Sequence, residues 1–375
     1  MSKKISAILK TIIAAFLWLP CSFARAARRY ASPAKAAATE QPSILVVACH
    51  WLGDTLWAAQ AVPHLRQRWP DAHIAAITKS FAAPLWSGRL SVDEIINGDA
   101  IVSDRRRENV DWQAMKKLAS QLAARRWDIV IDLTGNRYSA IFCHRLRARY
   151  TVGFDGGEFG RLYATCVTGA KQHGEHLSHQ PFRVIKPLLG TFFDEDDEYA
   201  DKNILPPEPQ TDYRQACEIL KMAADCPTAI IAPGAGWREK CWAAQNFADI
   251  ANILLREKWQ IVLAGSPQEY ELSQKIQKLI YEQFKPSVHL IHEKSVGTIL
   301  TILSGGAAFL GNDSGLGHIA AAMNLPVIVV FNGQTDPAAC KPLGRLAKYV
   351  IAGTPDATPE NIAQFFIHMR QERPC

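Results

Sequence analysis

Short apolar runs alternate with helical segments along this chain, and that alternation constrains the fold more than any other feature. Residues 44–47 form the first run, and His73–Thr78 and residues 128–133 follow between segments of helical spacing. Continuous apolar runs are typical of strands buried on both faces of a parallel sheet. The alternation therefore predicts βαβ units wound into an open α/β sheet.

A break in this pattern divides the chain in two. Residues 193–198 are acidic, prolines follow at 206, 207 and 209, and a second series of strands and helices then begins. A length of 375 residues suits two domains better than one. We expect two doubly wound, Rossmann-like domains facing a central cleft. The predicted boundaries are an N-terminal segment and linker at 1–42, domains at 43–190 and 211–355, a linker at 191–210 and a C-terminal helix at 356–375.

Charge is unevenly spread along the chain. Residues 1–150 contain 22 Lys and Arg against 11 Asp and Glu, and the whole chain has a formal net charge of +6. A basic first half indicates an acidic partner, such as membrane phospholipid, a phosphorylated glycolipid or nucleic acid. Any single basic cluster is explained equally well by a helix face exposed to solvent. Examples of such clusters are residues 105–107 and Arg145, Arg147 and Arg149.

The nine cysteines show neither metal-site spacing nor a disulfide framework. No C-x-x-C pair occurs, and the count is odd. Cys143, Cys166, Cys217 and Cys340 lie in apolar or helical contexts. We expect reduced thiols of a cytosolic protein and no structural zinc site.

The first 24 residues are mostly apolar and allow three interpretations. Lys3, Lys4 and Lys10 precede or interrupt the apolar stretch, and Arg25 follows it. A secretory signal fits the basic start and the small residues near Ala24. The uncharged part is short for a membrane span, whereas the helical spacing of its apolar residues suits an anchor lying in the membrane interface. We favour the interfacial anchor and leave a cleaved signal open.

The segment at residues 307–324 has the arrangement of an anion-binding site. An apolar run at 307–310 predicts a strand, residues 311–315 predict a polar turn, and a helix is expected from His318 to residue 324. Such a turn directs backbone N–H groups and a helix dipole at an anion. Asp313, Ser314 and His318 add an acid, a hydroxyl and an imidazole, which suit a sugar attached to a phosphate.

Three other strand-to-helix turns carry candidate site residues. His50, Trp51, Leu52, Gly53 and Asp54 follow the first strand. Asp54 is either a helix N-cap or a catalytic carboxylate. Gly234, Gly236 and the downstream Lys240 resemble a loop that holds a diphosphate, without Walker A spacing. Glu269 follows a third strand and either binds a ribose or interacts with the helix dipole.

These motifs together resemble glycosyltransferase family nine, the ADP-heptose:lipopolysaccharide heptosyltransferases. The resemblance rests on four segments: Gly311-Asn-Asp-Ser-Gly-Leu-Gly-His318, Asn332-Gly-Gln-Thr-Asp-Pro337, Asp128-Ile-Val-Ile-Asp-Leu-Thr-Gly135 and Trp51-Leu-Gly-Asp54. The His50-Trp-Leu-Gly-Asp54 form is most similar to the heptosyltransferase II branch. The resemblance covers about residues 43–350 and implies a GT-B fold with the donor bound mainly by the second domain.

The resemblance also implies a role for each candidate residue. Asp54 is the expected catalytic base, and Gly53 and His50 lie on the acceptor side. The expected donor-binding residues are Gly234, Gly236, Lys240, Glu269, Asp313, Ser314, Gly315 and His318. The chain departs from the family at Lys240-Cys-Trp-Ala243, where Lys-Arg-Trp-Pro is common, and at Ala48, His50 and Trp51, where Arg and Ser or Thr are common.

The expected reaction is inverting transfer of a heptose from ADP-heptose to a hydroxyl of the lipopolysaccharide inner core. We expect no cofactor, no metal and no nucleic-acid partner, and a cytoplasmic enzyme held peripherally at the inner-membrane surface. Two alternatives remain: a related GT-B transferase with another nucleotide sugar or glycan acceptor, and an exported, non-catalytic sugar-binding protein.

Overall fold

Two α/β domains follow one another along the chain. A computed structural model describes residues 33–101, 110–155, 166–170, 175–190, 204–209, 211–292 and 295–372. The sequence predictions for residues 1–32, 105–107 and 193–198 lie outside these ranges.

The first domain is built on a parallel sheet with strand order β3-β2-β1-β4-β5-β6. Its strands are β1 Ser43–Ala48, β2 His73–Thr78, β3 Glu94–Asn97, β4 Ile129–Asp132, β5 Tyr150–Asp155 and β6 Cys166–Ala170. Strand β1 pairs in parallel with β2 on one side and with β4 on the other. The strand order therefore reverses between β1 and β4, and ligands bind beyond the carboxyl ends of strands at such a point.

The second domain repeats this topology. Its strands are β7 Thr228–Ala232, β8 Gln260–Ala264, β9 Val288–Ile291, β10 Ala308–Asn312, β11 Val327–Phe331 and β12 Ala347–Ile351, in the order β12-β11-β10-β7-β8-β9. Here the order reverses between β7 and β10, which also pair in parallel. The two sheets confirm the predicted pair of doubly wound domains.

Helices connect and cover the strands. The described helices are α1 Pro33–Ala37, α2 Leu52–Ala59, α3 Ala61–Arg68, α4 Trp112–Ala123, α5 Arg137–Arg145, α6 Gln180–Leu189, α7 Tyr213–Leu220, α8 Ala244–Arg256, α9 Tyr270–Leu279, α10 Val296–Ser304, α11 Gly315–Ala322, α12 Pro337–Cys340 and α13 Pro359–Gln371. In the described ranges, no helix is both long and apolar enough to cross a bilayer. The described cysteines Cys49, Cys143, Cys217, Cys226, Cys241 and Cys340 are free.

Several predicted boundaries are wrong. The single helix expected over residues 54–69 is two helices, α2 and α3, because Pro63 has no N–H to donate to the preceding turn. Strand β10 continues to Asn312, and α11 begins at Gly315 rather than His318. Glycines 311 and 315 suggested a turn, but the structure uses them inside a strand and a helix.

Buried apolar side chains join the two domains. One continuous cluster includes Ile44, Leu56 and Trp57 from the first domain and Ile230 and Phe309 from the second. Separate clusters cover the opposite face of each sheet. Because a shared core resists separation, the two carboxyl edges are held close to each other.

Segments on either side of the first domain pack onto it. Ala36 in α1 is fully buried, and Arg68 donates a hydrogen bond to the Ala37 carbonyl at 2.8 Å. Residues 204–209 lie against the same domain, since the Gln60 side chain bonds both the N–H and the carbonyl of Leu205. The described parts of the predicted linkers are therefore docked on the first domain.

Candidate active site

The N-termini of two helices from different domains meet at the cleft. Helix α2 follows β1, α11 follows β10, and the two are in contact. A Cβ on Gly53 would lie 2.8 Å from His318 Cδ2, and one on Gly315 would lie 2.6 Å from Leu52 Cβ. Both positions therefore require glycine for this approach. Each helix N-terminus carries partial positive charge, so the meeting point favours an anion.

Asp54 lies in the first turn of α2. The N-cap of this helix is Trp51, without a side-chain capping bond, and Asp54 is the third helical residue. The N-cap interpretation of Asp54 is therefore wrong. Its side chain is half-buried and has no hydrogen-bond or ion-pair partner within the described residues. Both carboxylate oxygens are available to a hydroxyl entering the cleft.

Hydrogen bonds tie the turn after β1 to the turn after β4. His50 Nε2 donates to the Leu133 carbonyl at 2.7 Å, and the Cys49 N–H donates to Thr134 Oγ1 at 2.9 Å. His50 therefore fixes the backbone that leads into α2. Its place on the acceptor side of the cleft stays a prediction.

The two glycines after β7 have different surroundings. A Cβ on Gly234 would lie 1.8 Å from Glu269 Oε1, whereas a Cβ on Gly236 would meet nothing within 4 Å. Gly234 is thus required for packing against the Glu269 side chain. Gly236 faces open space, where another molecule can approach its backbone.

Glu269 closes a capping box at the turn after β8. Its Oε2 accepts hydrogen bonds from the Ser266 N–H at 2.6 Å and from Ser266 Oγ at 2.8 Å. This is the local helix-end role that the sequence allowed as an alternative to ribose binding. Oε1 lies against Gly234, so the carboxylate also borders the loop after β7.

Lys240 and Asp313 form an ion pair across the turns after β7 and β10. Asp313 Oδ2 also accepts a hydrogen bond from Thr335 Oγ1 at 2.7 Å. The Lys240 ammonium lies 4.3 Å from the centroid of the Trp237 ring. Lysine has three N–H donors, so the ion pair fixes the position of the cation and leaves donors for a ligand.

His318 is buried at the domain interface. Its ring centroid lies 4.6 Å from that of Trp57, and the residue is 7% exposed. Burial lowers the pKa of His318 to about 4, and nearby Asp313 opposes the shift. The imidazole is therefore neutral near pH 7 and contributes a hydrogen-bonding group rather than a positive charge. Its Nδ1 is buried without a hydrogen-bond partner among the described residues.

Ser314 is the N-cap of α11 and makes no side-chain capping bond. Its Oγ is also buried and without a partner within the described ranges. A hydroxyl at this position normally accepts a bond from a backbone N–H of the first turn. The Gly317 N–H donates to the Ser314 carbonyl at 3.2 Å instead, and the first two N–H groups of α11, those of Gly315 and Leu316, have no such partner among the described residues.

Two residues that shape the site, Asn312 and His176, are not among the predicted site residues. The Asn312 side chain donates to the Pro233 carbonyl at 2.6 Å and accepts from the Trp242 N–H at 2.9 Å, which holds the loop after β7 against the end of β10. His176 Nε2 donates to the Lys341 carbonyl at 2.9 Å and joins the domains. These partners are far apart in the chain, so only the folded topology brings them together.

In the described ranges, no three His, Cys, Asp or Glu side chains are placed to hold a metal ion. Metal-independent transfer stays a prediction. Two helix N-termini, a lysine, an exposed glycine backbone and carboxylates converge on the cleft. These groups suit an anionic ligand with attached hydroxyl groups.

The chain is similar to known proteins of one family. The model of glycosyltransferase family 9 (heptosyltransferase) matches residues 115–364. Lipopolysaccharide heptosyltransferase 3 of Escherichia coli K12 is 25% identical over 331 residues, which cover 86% of this chain and 87% of that protein. Lipopolysaccharide heptosyltransferase 2 of the same strain is 25% identical over 316 residues, which cover 82% and 87%.

Solved structures share the fold. The structure of E. coli ADP-heptose lipopolysaccharide heptosyltransferase II has a TM-score of 0.73 and 21% identity, and the match covers 89% of this chain and 100% of that one. E. coli heptosyltransferase WaaC with ADP has a TM-score of 0.64 and 21% identity, and the match covers 88% and 99%.

Proposed function

The chain belongs to glycosyltransferase family 9, the heptosyltransferases, and we propose that it transfers a heptose from ADP-heptose to a hydroxyl of the lipopolysaccharide inner core, with inversion. The observation that carries this proposal is the meeting of two helix N-termini beside Asp54 on one side and Lys240 on the other. The E. coli relatives are lipopolysaccharide heptosyltransferases, which supports the transferred sugar and the acceptor, and the similar solved structure is an ADP-heptose lipopolysaccharide heptosyltransferase, which supports the donor.

The second domain holds the donor in this proposal. The diphosphate lies at the N-terminus of α11, where it accepts hydrogen bonds from backbone N–H groups and from Ser314 Oγ. Lys240 stabilises the charge that develops on the leaving ADP as the glycosidic bond breaks. The loop at Gly236 lets the nucleotide approach the backbone. Asp313 accepts hydrogen bonds from hydroxyls of the sugar, and neutral His318 hydrogen-bonds the sugar or the diphosphate.

Asp54 is the general base of this mechanism. The acceptor hydroxyl attacks the anomeric carbon from the face opposite the leaving diphosphate, and its proton moves to the Asp54 carboxylate. The half-buried carboxylate has no other partner among the described residues, which supports this role. General-base catalysis of this kind contributes roughly 10²–10⁴-fold to rate. The closely packed domains exclude water, which limits hydrolysis of the donor.

The basic first half of the chain supports a place at the cytoplasmic face of the inner membrane. Residues 1–150 carry twice as many basic as acidic residues, 22 against 11. Basic residues are attracted to anionic phospholipid, and the attraction weakens as salt screens it. The full-length protein should co-sediment with anionic vesicles at low salt and be released at high salt. Equal sedimentation with zwitterionic vesicles would count against this location.

A screen of nucleotide sugars tests the donor assignment. ADP-heptose should raise the melting temperature and support turnover, since a ligand that binds only the folded state stabilises it by mass action. UDP- and GDP-sugars should do neither. A response to one of these and not to ADP-heptose would instead support a related transferase with another donor.

Removing the lysine tests the phosphate site. Lys240→Ala should weaken ADP-heptose binding by about tenfold or more, because a charge-assisted hydrogen bond contributes about 1.5–3 kcal/mol. Lys285→Ala is the matched control, since that lysine is ion-paired on the surface with Glu282. Calorimetric titration measures both affinities, and equal values for the two variants would place the diphosphate elsewhere.

A further inference from the structure

Two aromatic side chains are exposed beside the proposed base. Trp51 is 55% exposed and Phe81 is 40% exposed. Their ring centroids are 6.2 Å apart with an interplanar angle of 29°, so the rings are stacked with each other. Large exposed aromatic surface costs free energy in water unless a ligand or partner covers it.

The topology places this pair at the carboxyl edge of the first sheet. Trp51 follows β1, Phe81 follows β2, and these strands are parallel neighbours. The turn that carries Phe81, Ser80–Leu85, contacts both α2 of its own domain and α10 of the second domain. The aromatic pair, Trp51 and Phe81, therefore lies at the mouth of the cleft.

Helix geometry directs Trp51 and Asp54 to the same side. Trp51 is the N-cap of α2 and Asp54 is its third residue. In a capping box the side chain of each of these positions reaches the backbone of the other, so the N-cap and N3 residues of a helix lie close together. A sugar that covers the Trp51 ring is therefore within reach of the Asp54 carboxylate.

The turn that carries Phe81 is anchored before any ligand binds. The Ser80 N–H donates to Asp99 Oδ1 at 2.9 Å, and Lys79 Nζ donates to the Asp99 carbonyl at 3.1 Å. Ala82 and Leu85 in the same turn are fully buried. The backbone that carries Phe81 is thus held in place, which reduces the ordering that stacking of a ligand on Phe81 requires.

We propose that the aromatic pair Trp51 and Phe81 forms an acceptor subsite, on which the sugar ring that carries the reactive hydroxyl stacks. One face of a sugar ring presents C–H groups, which are attracted to the negative face of an aromatic ring. Stacking on Trp51 brings a hydroxyl of the same sugar to Asp54. The inference rests on the proposed heptosyl transfer and adds the group that orients the acceptor.

The test compares steady-state kinetics with ADP-heptose and a deacylated core oligosaccharide that lacks the transferred heptose. Trp51→Ala and Phe81→Ala should each raise the acceptor KM about three- to tenfold, which corresponds to stacking worth about 0.5–1.5 kcal/mol. The donor KM should stay within about twofold. Trp51→Phe, which keeps a ring, should recover most of the acceptor affinity.

Tyr349→Ala is the matched control. Tyr349 is 43% exposed and packs edge-on against Phe331 at a centroid distance of 5.7 Å, but it lies on β12 at the far edge of the second sheet. Its removal should leave both KM values unchanged. Acceptor KM values for Trp51→Ala and Phe81→Ala equal to that of the wild type would overturn the subsite alone. A wild-type protein that releases no ADP from ADP-heptose would overturn the heptosyl transfer on which it rests.

Discussion

Gly234 and Gly236 are two residues apart and serve different purposes. An added Cβ would overlap the Glu269 carboxylate at Gly234 and would meet nothing within 4 Å at Gly236. The first glycine is therefore a packing requirement, and the second exposes backbone to the cleft. A motif of two glycines in sequence does not reveal this difference, because Glu269 is brought to Gly234 only by the fold.

Alanine substitutions separate the two roles. Gly236→Ala should keep the free energy of unfolding within about 0.5 kcal/mol of the wild type and weaken ADP-heptose binding, because its methyl group enters the donor site. Gly234→Ala should lose about 1–3 kcal/mol of stability through overpacking. Urea denaturation and calorimetric titration measure the two effects. Wild-type donor affinity in Gly236→Ala would show that this loop does not contact the donor.

At the scale of elements, the turn between β4 and α5 depends on a buried carboxylate. Asp132 is 5% exposed and accepts hydrogen bonds from the Gly135 N–H at 3.1 Å and from Ser139 Oγ at 2.9 Å. Burial raises the pKa of Asp132 to about 6, against the opposing effect of these bonds. The turn lies beside His50 at the point where the strand order reverses, so its geometry affects the backbone that leads into α2.

The raised pKa predicts a pH-dependent effect of Asp132→Asn. An acid whose pKa is higher in the folded state stabilises the fold below its unfolded pKa and loses this contribution as the pH rises through about 6. From pH 4 to pH 7 the variant should gain up to about 3 kcal/mol relative to the wild type. Denaturation at several pH values measures this gain. A pH-independent difference would mean that the carboxyl group is not perturbed by burial.

The elements most open to prediction were the central strands. The strand His73–Thr78 has the bounds that the sequence predicts, because apolar runs are clear where both faces of a strand are buried. Strands β5, β6 and β12 were not predicted. Strand β12 lies at a sheet edge and mixes exposed and buried side chains, so its sequence shows no continuous apolar run.

The sequence predicts where the candidate residues lie relative to the strands, and it does not predict the contacts between them. The turns that carry Asp54, Lys240, Glu269 and Asp313 do lie at strand ends, as expected from their sequence context. The Lys240–Asp313 ion pair and the burial of His318 against Trp57 depend on residues distant in sequence. Long-range pairing of this kind follows from sheet topology, and one sequence carries no direct signal for it.

At the scale of the whole molecule, two copies of one topology present their strand-order reversals to each other. The first domain contributes Asp54 and the aromatic pair to the cleft, and the second domain contributes Lys240 and the N-terminus of α11. The hydrogen bond from His176 to the Lys341 carbonyl and the shared apolar cluster hold the halves together. The proposed reaction needs this arrangement, because the proposal assigns the donor to the second domain and the acceptor to the first.

The measurement that tests this account most directly is single-turnover and steady-state kinetics of Asp54→Asn with ADP-heptose. Loss of the base should lower kcat by about 10²–10⁴-fold, while the affinity for the donor stays within about twofold. Asp225→Asn is the control, because that carboxylate is 84% exposed and ion-paired on the surface with Arg214. A kcat for Asp54→Asn within a few-fold of the wild type would contradict the assignment of Asp54 as the base.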